Sequence, residues 1–87
     1  MKIFKYEIPI KDTFNLELPA HSKILSLQLQ NEKPYIWVLH DENKVLKHRY
    51  FTIVGTGHEI EYHPDVMIYI GTIQMGSLVW HLFEDIL

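Results

Sequence analysis

Hydrophobic and polar residues alternate with a period of two along most of the chain, and no window carries an apolar stripe of helical spacing over three turns. Phe4, Tyr6, Ile8 and Ile10 alternate with Lys5, Glu7 and Pro9, which predicts a first strand with one buried face, at a sheet edge or stopping near Pro9. Phe14, Leu16 and Leu18 alternate with Asn15 and Glu17 and stop at Pro19. Leu25, Leu27 and Leu29 alternate with Ser26, Gln28 and Gln30, so a third strand is expected with all three leucines on one buried face. Asn31-Glu32-Lys33-Pro34 is turn chemistry, and Tyr35 to His40 follows as the hairpin partner.

After the polar turn Asp41-Glu42-Asn43-Lys44, the run Val45 to Val54 predicts a long strand, with Lys47, Arg49 and Phe51 on one face and Leu46, His48 and Tyr50 on the other. Gly55 to Asp65 reads as an irregular loop; strands resume at Val66 to Ile73 and Leu78 to Phe83, joined by a turn at Met75-Gly76. A short helical turn fits only at residues 19–23 or inside the 58–65 loop. The expected fold is all-β, a small antiparallel sandwich or barrel of about seven strands.

Length adds that residues 1–87 form a single β domain. A chain this small buries roughly 60–65% of its unfolded surface, so a homo-oligomer that shares core is expected. No cysteine is present, which removes disulfides, thiolate catalysis and Cys-based zinc sites. Net charge is −3, which argues against general binding to long nucleic acid. The N-terminal residues carry charge at alternate positions without an apolar core of signal-peptide type, and no apolar run reaches membrane-span length. A cytoplasmic setting without membrane contact is the expectation.

Six histidines raise the question of a metal. His40, His48, His58, His63 and His81 show neither the i, i+2 spacing of a strand site nor the i, i+4 spacing of a helical one; Glu59, Glu61 and Asp65 beside His58 and His63 offer the nearest grouping. No metal and no cofactor are expected. Ser22, Ser26 and Ser77 lie in no nucleophile elbow. The expectation is that the protein is not an enzyme.

Two Gly-Thr pairs, Gly55-Thr56 and Gly71-Thr72, each follow an apolar β-branched run, and Trp80-His81 lies near the end. Such corners suit tight turns, or amide and hydroxyl donors placed against an anion. Arg49, the only arginine, stands with Lys47 on the strand that ends at Gly55 and is expected to face solvent or a subunit interface, where its fork fits phosphate. Arg49, Thr56, Gly57 and His58 are the expected anion-binding residues, with Thr72 or Trp80 nearby and an aromatic ring over a base. Of Trp37 and Trp80, one is expected to be partly exposed.

Lys5-Tyr6, Leu18-Pro19, Lys23-Ile24-Leu25-Ser26, Pro34-Tyr35-Ile36-Trp37, Arg49-x-Phe51, Gly55-Thr56-Gly57-His58, Tyr69-Ile70-Gly71-Thr72 and Trp80-His81-x-Phe83-Glu84 together resemble a family of small bacteriophage proteins. The resemblance implies a phage origin, action in the host cytoplasm and a compact β fold; it carries over no catalytic residues. By analogy with small oligomeric phage proteins of the anti-CBASS class, the expected function is a sponge that sequesters cyclic nucleotide defence signals, such as cyclic dinucleotides, without cleaving them. The alternatives are a phage structural or protein-interaction module that binds a host or virion protein and, third, a metal-dependent phosphodiesterase.

Overall fold

The structure, a computed structural model, describes residues 1–41 and 45–86. Most of the turn expected at Asp41 to Lys44, and the Lys44 end of the basic run, lie outside the described residues.

Seven strands follow in order: β1 (Lys2–Glu7), β2 (Thr13–Pro19), β3 (Lys23–Gln30), β4 (Lys33–His40), β5 (Leu46–Gly55), β6 (Met67–Met75) and β7 (Leu78–Asp85). A single 3-10 turn, Pro64–Val66, precedes β6; Pro64 supplies a pre-set φ and His63 caps the turn by accepting the Asp65 N–H. All pairings are antiparallel, in a three-stranded sheet β1-β4-β3 and a four-stranded sheet β2-β5-β7-β6. The architecture is a sandwich rather than a barrel. No helix among the described residues is long and apolar enough to cross a membrane.

The period-two pattern fixes which side chains meet between the sheets. Ile36 and Val38 of β4 face Leu18 of β2, Phe51 and Ile53 of β5 and Leu82 of β7 in one core cluster. Phe51, Leu18, Ile36, Leu82 and Val38 are almost wholly shielded from water, each contributing about 1.5–3 kcal/mol of burial. Phe14 lies opposite Phe51 in the β2–β5 register, and their rings stack with centroids 5.1 Å apart.

Turn chemistry sets the hairpins. Asn31 and Glu32 form the two-residue β3–β4 loop with φ of 52° and 66°, the both-positive pattern of a type I′ turn. Gly76, at φ 61°, opens the β6–β7 loop.

The expectation that Leu25, Leu27 and Leu29 share a buried face does not hold. A bulge between Ile24 and Ser26 shifts the β3 register, so that Ile24 and Leu27 pack on the core while Leu25 is 43% exposed; Leu29 keeps the parity of Leu27 but lies opposite Pro34 beside the hairpin turn, where it is 38% exposed. A second bulge, between Tyr69 and Gly71 of β6, interrupts that strand in the same way. The two sheets approach each other closely where β3 meets β6. There the Leu27 Cβ lies 3.2 Å from the place where a Cβ on Gly71 would sit.

Candidate functional site

Arg49 shares the inward parity of Phe51 and projects between the sheets, not toward solvent from a strand edge. Its Nε donates to Glu84 Oε2 at 2.5 Å and its Nη2 to Glu84 Oε1 at 2.7 Å, while Nη1 donates to the Ser22 carbonyl. The two side chains are 22% and 13% exposed. Neighbouring strands bring them together, because Phe51 of β5 lies opposite Glu84 of β7. A guanidinium carries five N–H donors; three are engaged here, and among the described residues one on Nη1 and one on Nη2 have no acceptor.

The ion pair lies in a groove of about 430 Å³ between β3 and β6. Ser22, Lys23, Ile24 and Leu25 form one wall, and Ile68, Tyr69 and Ile70 the other. Both bulges open onto this groove, and Leu25, Ile68 and Tyr69 present exposed apolar surface along it.

The other residues expected at an anion site lie elsewhere. Gly55 is six residues along β5 from Arg49, about 20 Å at the rise of a strand. Gly55 faces Trp80 in the β5–β7 register. A Cβ on Gly55 would come within 2.9 Å of the His58 ring and 3.3 Å of Trp80, so this glycine makes room for packed rings. Gly57 takes φ 86° inside a turn closed by the His58 N–H on the Gly55 carbonyl at 3.0 Å.

Asp12, Thr13, Thr52, His58, Glu59, Glu61, Tyr62 and Trp80 are among the residues lining a cleft of about 370 Å³ at this end. Three of those side chains are carboxylic acids, and neither lysine nor arginine lines the cleft. Its electrostatics oppose an anion.

The two threonines serve one imidazole. Thr56 Oγ1 lies 2.7 Å from His81 Nε2, and Thr72 Oγ1 lies 2.9 Å from His81 Nδ1. Tyr69 OH extends the file to Thr72 Oγ1 at 2.5 Å. In a neutral imidazole one nitrogen donates and the other accepts, and hydroxyls can satisfy either role. The Gly-Thr pairs and the Trp-His pair therefore form one physical cluster: the glycines admit neighbouring side chains, and the threonines fix His81.

The remaining histidines are spread over the fold. His40 Nε2 meets Tyr6 OH at 2.6 Å, and burial holds the Tyr6 phenol above its ordinary pKa. His48 bonds Asn15 and Glu17 on the outer side of β2, and His63 caps the 3-10 turn. Among the described residues no three His, Cys, Asp or Glu side chains converge in a metal-binding group. Trp37 and Trp80 are both half-buried, where one alone was expected to be partly exposed.

The groove was not found from the sequence because both of its walls are bulged edge strands, and a bulge leaves the residue types unchanged while it shifts the register. The available signal was the shared parity of Arg49 and Phe51: an arginine on the core-facing side of a strand needs an internal carboxylate.

Residues 1–86 match the family model described as Domain of unknown function (DUF7352), and the chain belongs to that family. No curated protein and no solved structure matches the chain.

Proposed function

We propose that the protein is a non-enzymatic binding module that holds a small anionic ligand of the nucleotide class, intact, in the groove between β3 and β6. The observation that carries this reading is Arg49 in the groove, with two N–H donors that meet no acceptor among the described residues. Glu84 holds the guanidinium in place, so a phosphate meets a pre-oriented donor pair instead of a mobile side chain. Lys23 on one wall adds a second cation; with Arg49 it outnumbers the single carboxylate, Glu84, among the lining residues. Ile24, Leu25, Ile68 and Ile70 offer apolar surface for a base. The groove volume falls in the usual range of about 300–1,000 Å³ for small-molecule sites. Sequestration of cyclic nucleotide signals in a phage-infected cell is the biological role this reading serves.

Calorimetric titration with cyclic dinucleotides and nucleoside monophosphates, with adenosine and inorganic phosphate as controls, tests it. Binding is expected for nucleotides and not for adenosine, and heat denaturation should release the nucleotide unchanged. Lys23→Glu should weaken binding about tenfold or more, since a favourable charge becomes a repulsive one. A cleaved product recovered after heating, or no nucleotide binding at all, contradicts the proposal.

A second reading, a protein-interaction module, is favoured by the outer face of the three-stranded sheet. Tyr35 and Trp37 of β4 lie edge-to-face there at 6.0 Å, with the Lys5 ammonium 4.7 Å from the Tyr35 ring centroid. Aromatic residues at the centre of a face with charged residues at its margin match the anatomy of a protein interface. Under this reading Trp37→Ala abolishes capture of a protein partner and leaves nucleotide titrations unchanged.

A further inference from the structure

We propose that the open edge of β1 pairs antiparallel with β1 of a second copy, joining two three-stranded sheets into one of six strands. β1 is an edge strand, bonded among the described residues only to β4, and its register runs without a bulge from Lys2 opposite His40 to Glu7 opposite Tyr35. The Ile8 N–H donates to the Pro34 carbonyl at 3.0 Å, one step beyond that register. In an antiparallel ladder, backbone groups alternate between facing the partner and facing away. Tyr6 and Phe4 therefore direct their amides and carbonyls at β4, while Ile3, Lys5 and Glu7 direct theirs at the open edge. Ile3 is 57% and Phe4 46% exposed, so this edge combines unpaired backbone with apolar side chains.

The other edges lack that combination. β3 and β6 are each broken by a bulge and face one another across the groove. In β2 the Ala20 N–H bonds the Val45 carbonyl, and the Asp12 carbonyl accepts from Ile53. Thr13, Asn15, Glu17 and Pro19 thus line its open edge, with polar side chains and, at Pro19, no donor.

Charge selects one register. In a two-fold pairing within the sheet, the core faces lie on the same side only if residues of equal parity are opposed. The two registers of longest overlap are centred on Phe4 and on Lys5. Centring on Lys5 sets two ammonium groups directly against each other, which is destabilising. Centring on Phe4 sets Phe4 against Phe4, Ile3 against Lys5 and Lys2 against Tyr6, with no like charges opposed. Ile3 and Lys5 then exchange backbone hydrogen bonds at both ends. The Phe4 pair occupies the position where side chains come closest, each ring backed by its own His40 at 4.5 Å.

Sedimentation equilibrium of the full chain tests the proposal, with circular dichroism as the folding control. A reversible dimer of twice the 10.4 kDa chain mass is expected. Ile3→Lys sets a lysine against Lys5 in both symmetric contacts and should weaken the dimer roughly two- to thirtyfold, while Ile3→Glu should tighten it by a similar factor. In the Lys5-centred register Ile3 would face Glu7 and the order would reverse. A monomer at every concentration, the reversed order, or indifference to both substitutions overturns the proposal.

Discussion

Arg49 grips Glu84 through two near-parallel hydrogen bonds of 2.5 and 2.7 Å, across the β5–β7 register and between the two sheets. The pair determines both the stability of this end of the sandwich and the chemistry of the groove above it. Arg49→Ala leaves the mostly buried Glu84 carboxylate without its partner and removes the bond to the Ser22 carbonyl. The expected loss is about 2–3 kcal/mol, read as a lower denaturation midpoint in urea. Arg49→Lys should recover part of it, because one ammonium restores the charge but not the fork.

Gly71 is a packing glycine. A Cβ there would meet the Leu27 Cβ at 3.2 Å, and a side chain's root cannot swing away as a flexible tip can. Gly71→Ala should cost about 1–3 kcal/mol by forcing β6 away from β3. Leu27→Ala should be destabilising on its own account and should relieve part of the Gly71→Ala penalty, so that the double variant is less affected than the sum of the two.

His81 ties the turn after β5 to β6. Replacing it with alanine removes both threonine bonds and should cost about 1–2 kcal/mol. Hydrogen exchange should accelerate at Thr56 to His58 more than at the β2–β5 pairing. A uniform change across the fold would contradict the clamp.

Tyr6 makes stability fall at alkaline pH. Burial raises its pKa in the folded state above the ordinary value of 10.0. The unfolded chain therefore loses this proton first, and the stabilisation is complete below pH 10 and lost as pH rises through the raised value. Tyr6→Phe should flatten this part of the stability–pH curve relative to the parent, whatever its effect at neutral pH.

Glu32 occupies a left-handed conformation at φ 66°, in the second position of a type I′ turn. Glu32→Gly creates the favoured Asn-Gly pair and should raise stability by up to about 1 kcal/mol, read as a higher melting temperature.

The sequence pattern carried the succession of strands along the chain because every core strand alternates: Phe51 and Ile53, or Ile36 and Val38, can face one core only with a period of two. It could not carry Leu25, since a bulge displaces one residue without any change in hydrophobicity that marks it. Arg49 was legible as a distinctive residue and its parity with Phe51 was visible. Its orientation depended on Glu84, 35 residues away, and no local pattern reports that partnership. Thr56 and Thr72 stood out as a repeated Gly-Thr pair, but their common attachment to His81 appears only once β7 lies between β5 and β6.

The proposed function places an intact nucleotide in the groove between β3 and β6. Titration of the isotopically labelled chain with a cyclic dinucleotide, followed residue by residue by nuclear magnetic resonance, tests it most directly. Shifts concentrated at Ser22 to Leu25, at the Arg49 side-chain N–H and at Ile68 to Ile70 are expected, with the ligand recovered unchanged. Shifts centred on Thr56 to His58 and Trp80, or a spectrum that the nucleotide leaves unaltered, would contradict it.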